Sequence, residues 1–477
     1  MCFIYGLAVV LVIIEGIIIQ CEGAGDKDSS NLIQNAPIND IKDDQPFLPN
    51  DIIEVIVSKT DYKTIQKTVQ KGIVRATDIV MSRKLQNCII QVTPELVNGE
   101  ITEDYQLGDL FLNLGNYQRL MPFFDKFGGH VKKMEILYRS NDPHNEIQQN
   151  IIKKYAKNLE ELRITIFGDK EFWDGMSDGQ SYLIFPEVKK FQLRGRSSRY
   201  EFKFNLIFPK LESLKLLGTI ADEKCLADVI TLKELTLLTG SIKEDQLDHI
   251  FQNNKNMTKI SFSMPNKAET MHSIAKYLIK LETLEVKFPG KNFLLRENNK
   301  AVHQLPTVTH FDISFDEIDN RIFIGNLSFD MPNLKKLALN GVETNDRVVN
   351  FIKHFKKLEI VELSVTKYNV VECIEKLKNI KEITITFYED EFDSLNQFDF
   401  LKNMFERFDN ESKLHTLKFV MYESFYHYYV NRMKKINITL EESMKPTWTL
   451  SHGKQMGTGQ NYLLFKREPC ICKCCNN

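Results

Sequence analysis

One spacing constrains this chain more than any other feature. The pattern apolar-x-x-apolar-x-apolar recurs twelve times between Val131 and Phe419. The copies are Val131/Met134/Ile136, Leu159/Leu162/Ile164, Val188/Phe191/Leu193, Leu211/Leu214/Leu216, Leu232/Leu235/Leu237 and Met257/Ile260/Phe262. They continue at Leu281/Leu284/Val286, Val308/Phe311/Ile313, Leu334/Leu337/Leu339, Leu358/Val361/Leu363, Ile380/Ile383/Ile385 and Leu414/Leu417/Phe419. The alternating end of each copy predicts a short strand with one buried side. Between strands, Leu247, Ile250 and Phe251 share one helical face. So do Met271, Ile274, Ala275 and Leu278, and likewise Phe398, Leu401, Phe405 and Phe408. A strand and a helix this short cannot close a core, so neighbouring copies must stack in parallel into a curved solenoid. Pro186, Pro209, Pro306 and Pro332 stand just before four of the copies and fix the turn into the strand.

The steps between copies are 28, 29, 23, 21, 25, 24, 27, 26, 24, 22 and 34 residues. Ten of the eleven fall within the 20 to 29 residues of leucine-rich repeats. On these residues the chain resembles the leucine-rich-repeat family over roughly 125–430. It departs from the family where an Asn normally follows the strand: Thr219, Gly240, Pro289, Val342 and Thr366 stand there. That departure suggests irregular, long-helix repeats, as in intracellular F-box/leucine-rich-repeat proteins. The expected fold class is α/β, a leucine-rich-repeat solenoid (a horseshoe) with a small helical unit before it.

The helical unit is read from residues 46 to 70, PFLPNDIIEVIVSKTDYKTIQKTVQ. Pro49 suits a first helical position and Asp51 a first turn. Ile52, Ile53, Ile56 and Val57 form an apolar stripe, and Asp61 caps a second helix carrying Ile65 and Val69. Leu48-Pro49, Asp51, Ile52/Ile56, Asp61 and Ile65 resemble the start of an F-box. The resemblance implies a Skp1-type adaptor held by Leu48, Pro49, Asp51, Ile52, Ile56 and Ile65, with repeats that capture a substrate for ubiquitin transfer. The family's Val-Cys-x-x-Trp element is replaced by Lys-Gly-Ile-Val-Arg at 71–75, and Thr60 stands where an apolar residue is expected. Read from the residues alone, the unit is a plain helical cap on the first repeat's edge.

The ends are distinctive. Residues 3 to 19 are apolar apart from Glu15, and a small-residue context at Cys21-Glu22-Gly23 precedes a polar stretch. This reads as a secretory signal peptide over 1–23, with a membrane anchor as the alternative. With the F-box-like unit, the leader makes the chain similar to the secreted F-box/leucine-rich-repeat effectors of gall midges. The expected layout is then a polar linker at 24–45, the F-box-like unit at 46–90, a connecting segment at 91–124, the solenoid at 125–430 and a C-terminal cap at 431–469. A Cys-rich tail closes the chain at 470–477, with Cys470, Cys472, Cys474 and Cys475. Cys88, Cys225 and Cys373 are scattered singly, as small core residues of a reduced protein are. Sequons at Asn256, Asn326, Asn410 and Asn437 become glycan acceptors if the chain is exported. Secretion is the expected localisation, and cytoplasm or nucleus the alternative.

Lys+Arg is 62 and Asp+Glu is 64. That balance argues against a chain built to hold nucleic acid or an anionic membrane by net charge. Gly175-Met-Ser177-Asp-Gly179 matches a nucleophile elbow in letters only: it sits in an inter-repeat loop, not between a buried strand and a helix. No H-E-x-x-H occurs, and Gly453, Gly457 and Gly459 lack the dinucleotide spacing. Arg194, Arg196, Arg199 and Lys203 read as a solvated loop, and the aromatic run from Tyr422 to Tyr429 as a capping helix. No catalytic, metal or cofactor residues are expected. The outward strand positions run Glu135, Arg163, Gln192, Lys215, Thr236, Ser261, Glu285, Asp312, Ala338, Glu362, Thr384 and Lys418. Of these, Arg163, Lys215, Glu285, Asp312 and Glu362 are the candidate contacts on the concave face. The expected role is a non-enzymatic protein-recognition scaffold, either an F-box-like substrate receptor or a secreted binding protein without a ligase role. The expected partners are a protein and a Skp1-like adaptor, with no nucleic acid and no small-molecule cofactor.

Overall fold

A computed structural model describes residues 85–86, 88–92, 102–106, 109–113, 117–139, 142, 145–167, 172, 183–195, 203–218, 226, 228–238, 244–263, 269–288, 303–315, 329–342, 346–365, 376–377, 380–387, 413–421, 448–454 and 461–467. The chain divides into two units, Met1–Val55 and Ile56–Asn477, and every described residue lies in the second.

Each apolar triplet becomes a strand because its last two members fall on one side of the pleat. Strands β1 to β10 are Ile89–Val92, Thr102–Gln106, Asp109–Asn113, Lys133–Arg139, Glu161–Phe167, Lys190–Gly195, Ser213–Leu217, Glu234–Leu238, Lys259–Ser263 and Thr283–Phe288. Strands β11 to β19 are His303–Gln304, His310–Phe315, Phe329–Asp330, Lys336–Val342, Ile360–Val365, Glu382–Phe387, Thr416–Met421, Trp448–Lys454 and Asn461–Arg467. Among the described residues, seventeen of these form one sheet. From β4 to β17 the long strands pair in chain order and in parallel, with β11 and β13 set apart as a two-stranded sheet of their own. The register is lateral: Met134 opposes Leu162, Leu162 opposes Phe191, and so on to Ile383 beside Leu417. All members of all twelve triplets are buried and lie in one continuous core. The architecture is thus a mixed α/β repeat with a long parallel sheet, compatible with the expected leucine-rich-repeat solenoid.

The helices are α1 (Tyr117–Phe127), α2 (Asn145–Tyr155), α3 (Phe204–Ile207), α4 (Glu244–Asn253), α5 (Glu269–Tyr277) and α6 (Asp346–His354). Leu247, Ile250 and Phe251 of α4 and Ile274 of α5 join the core, as their shared face requires. In α2, Glu146 in the first turn and Lys153 and Lys154 in the last complement the helix dipole. Where α3 is only one turn long, aromatic bulk fills the layer: Phe191 and Phe208 stack with centroids 4.4 Å apart, and Phe185 and Phe208 at 5.2 Å.

Two regularities tie the repeats together. The first eleven triplets are each preceded, three residues earlier, by another buried position, among them Phe185, Phe208, Leu305 and Met331. In nine of them its carbonyl accepts the N–H of the first triplet residue, as in Phe208 O from Leu211 N at 3.2 Å and Met331 O from Leu334 N at 3.1 Å. Pro186, Pro209, Pro306 and Pro332 occupy the second position of these turns, where a φ near −65° is already set. The residue after each first triplet member then offers a carbonyl that accepts two amides from the next repeat. Eleven such carbonyls, from Lys132 to Lys381, do so at 2.7–3.2 Å.

Two other features shape the turns. Asn254, buried in a core-turn position, donates to Val229 O at 2.6 Å and Ile250 O at 2.9 Å and accepts from Leu232 N at 2.9 Å. Elsewhere glycine takes the strand's end: Gly195, Gly218 and Gly341 stand seven residues after the first triplet member with φ of 125°, 129° and 75°. A Cβ on Gly218 would lie 2.2 Å from Gly195 O.

The sheet also starts earlier than the repeat series. β1 lies parallel to β4, with Ile90 opposite Met134 and Val92 opposite Ile136, both buried. Its other edge takes β3, which pairs antiparallel with β2. At the far end β19 runs antiparallel to both β17 and β18. The aromatic run 422–429, the helical face at 398–408, Ser177 and the Cys-rich tail lie outside the described residues.

Candidate functional site

The face of the sheet opposite the core is built by the residues between the buried ones. Pairing carries the twelve expected outward residues into a single column: Glu135 opposes Arg163, then Gln192, Lys215, Thr236 and Ser261. Glu285, Asp312, Ala338, Glu362, Thr384 and Lys418 follow. Two members do not offer a surface: Ser261 and Ala338 are buried, because short side chains are shaded by longer neighbours. Arg194 belongs here as well. The sequence placed it in a loop, but it lies in β6 opposite Thr165 and Leu217 and is exposed. Lys203 is exposed just before α3, and Arg196 and Arg199 lie outside the described residues.

Charge is segregated along this face. The outward positions of β4–β7 hold six cations (Lys133, Arg139, Arg163, Lys190, Arg194 and Lys215) and two anions (Glu135 and Glu161). Those of β10–β16 hold four anions (Glu285, Asp312, Glu362 and Glu382) and two cations (Lys287 and Lys336). Arg163 pairs with Glu161 at 2.6 Å, Lys259 with Glu285 at 2.5 Å and Lys336 with Glu362 at 2.8 Å. Among the described residues Lys215 and Arg194 have no ion-pair partner. Burial first, then the cations Arg163, Lys259 and Arg194, hold Lys215 below the usual lysine range.

Asp312 anchors the acidic half. Asn340 Nδ2 donates to Asp312 Oδ1 at 2.9 Å and to Ser314 Oγ at 3.1 Å, and Ser364 Oγ donates to Asn340 Oδ1 at 2.7 Å. Burial, with Glu285 and Glu362 beside it, raises the Asp312 carboxyl to about 6 against the hydrogen bonds that Ser314 Oγ, at 3.4 Å, and Asn340 donate to it. This polar ladder is not legible in the sequence, because its members are 24 to 28 residues apart and only the lateral register joins them.

A notch of about 390 Å³ lies at the strand-approach edge, lined by Pro209, Glu212, Ile230, Lys233, Asn254 and Asn256 among others. Lys233 is held by Glu212 at 3.0 Å there. The sequon residue Asn256 is exposed in a turn, whereas Asn326, Asn410 and Asn437 lie outside the described residues. So do Leu48, Pro49, Asp51, Ile52, Ile56 and Ile65. Among the described residues no group of three or more His, Cys, Asp or Glu is placed to hold a metal, and no helix is long and apolar enough to cross a membrane.

No family model matches the sequence. No curated protein matches it either. Among solved structures the chain is similar to one described as the crystal structure of a TLR13–ssRNA13 complex, at 16% identity and a TM-score of 0.30. The match covers 57% of this chain and 49% of that one, so the chain spans about half of that neighbour's length. A likeness this low does not carry the neighbour's RNA over to this chain, and it leaves the absence of nucleic acid an expectation.

Proposed function

We propose that this chain is a non-catalytic scaffold that recognises a protein on the open face of its repeat sheet. One observation carries this reading. The outward residues of successive repeats, distant in sequence, form one laterally registered array on a hydrogen-bonded backbone. Such an array presents many side chains at fixed spacing without requiring a cavity. Site-specific photo-crosslinking of the full-length chain tests it. Probes at Thr236 or Glu362 should give covalent partner adducts, and probes at Lys157 or Lys353 on the helical side should not. Adducts from the helical side alone would overturn the reading.

A finer role follows from the F-box resemblance: docking on a Skp1-type adaptor through Leu48, Pro49, Asp51, Ile52, Ile56 and Ile65, with the repeat face holding a ubiquitination substrate. It is supported by the order of the motif and the repeats in the sequence. Co-elution of full-length chain with purified Skp1, lost on Ile52→Asp, is the expected result; separate elution removes the adaptor role. The leader and the exposed Asn256 support the alternative of a secreted binding protein. That alternative predicts a mature chain starting at Ala24, read by N-terminal sequencing.

A further inference from the structure

We propose that the open face binds one extended protein segment of segregated charge, its acidic end over β4–β7 and its basic end over β10–β16. This deepens the protein-recognition reading and rests on it. The face carries an excess of cations at one end and of anions at the other; Arg163–Glu161, Lys259–Glu285 and Lys336–Glu362 pair off locally, and the remainder stays segregated. Lys215 and Arg194 stand in the cationic part without ion-pair partners among the described residues. Asp312 lies between Glu285 and Glu362 in the anionic part, with only neutral hydrogen-bond donors given to it. A partner of matching polarity neutralises both ends together; a partner of reversed or mixed polarity places like charges in contact.

The same layout argues against a nucleic-acid strand. Its backbone is anionic throughout, so the end that satisfies Arg194 would continue towards Glu285, Asp312 and Glu362. A strip of apolar surface beside the cations suits a protein as well. Phe167 is 53% exposed at the end of β5, with Arg139 over its ring at 5.8 Å, and Leu217 and Leu238 are half-buried in the neighbouring row that holds Thr165 and Arg194. Size follows from the sheet. Arg163 and Glu362 are eight strand steps apart, roughly 38 Å at about 4.8 Å per step. An extended peptide covers that in about twelve residues at about 3.3 Å each.

The test is fluorescence anisotropy on the full-length chain with three probes. The first is a segregated peptide, EEEEGSGSKKKK in one-letter code. The second has the same composition with glutamate and lysine alternating, and the third is a twelve-nucleotide oligouridylate. The segregated peptide should bind at least tenfold tighter than the alternating one and weaken as salt rises from 50 to 200 mM. The double variant Arg194→Glu/Lys215→Glu should remove that preference while keeping the wild-type circular dichroism spectrum. Arg194→Ala/Lys215→Ala should reduce it if the reversal impairs folding. Equal binding of the two peptides overturns the proposal. So does tighter binding of oligouridylate that Arg194→Ala/Lys215→Ala abolishes, which would make the cationic end a nucleic-acid site. If no probe binds while crosslinks still map to the open face, the charged-segment proposal falls and protein recognition stands. If crosslinks map only to the helical side, both fall.

Discussion

At the scale of single residues, two polar side chains, one in the core and one on the open face, act on stability in opposite senses. Asn254 occupies a position that the other described repeats fill with apolar residues or glycine, and it serves backbone groups of two turns. Asn254→Ala orphans Val229 O and Leu232 N, and each buried orphan costs about 1–3 kcal/mol. Urea denaturation should report a loss of that order, and an unchanged midpoint would mean that water takes the amide's place. Asp312 behaves oppositely, since its carboxyl is raised to about 6 in the folded chain, above its ordinary value. The folded state therefore holds the proton more tightly than the unfolded one. The charged form burdens the fold above about pH 6, and the burden is relieved as pH falls towards about 4. Asp312→Asn should melt higher than wild type at neutral pH, with the gap closing through that window. A gap that is constant with pH would contradict this.

At the scale of the element, the strand is a buried triplet on one side and a display on the other. Much of this is legible in the sequence, because apolar spacing dictates both the buried column and its outward neighbours. The limits are physical. β1 escapes the series because Asn87 stands where the first apolar residue belongs and an inserted hairpin and helix separate Ile90 from Met134. Burial of Ser261 and Ala338, and the Asp312–Asn340–Ser364 ladder, depend on lateral neighbours that a linear pattern does not reveal. The strand ends differ from the family pattern too, since glycine at positive φ stands at three of them. Gly218→Ala would place a methyl 2.2 Å from Gly195 O at a φ of +129°. The strain and the forced shift should cost at least ~1–2 kcal/mol, read as a lower denaturation midpoint. Stability equal to wild type would show that β6 and β7 can separate there.

At the scale of the molecule, stability comes from neighbour on neighbour, and the last parallel strand needs a cover. β19 supplies it antiparallel to β17, with Phe465 buried edge-on against Phe419 at 6.0 Å. Deleting residues 448–477 should expose the β17 edge and drive self-association, seen as a higher mass by light scattering. A monomer with wild-type melting would contradict this. The residues whose carbonyls join the repeats have a further consequence. Their side chains run Lys132, Glu160, Lys189, Glu212, Lys233, then Thr258, Glu282, Thr309, then Lys335, Glu359 and Lys381, with Lys132–Glu160, Glu212–Lys233 and Glu359–Lys381 in ion-pair contact. The edge thus has parity. In either alternating stretch, losing an interior repeat or duplicating one sets like charges side by side, whereas a change of two restores the match. The neutral Thr258 and Thr309 are where the phase can slip, so single-repeat recombination is best tolerated between them.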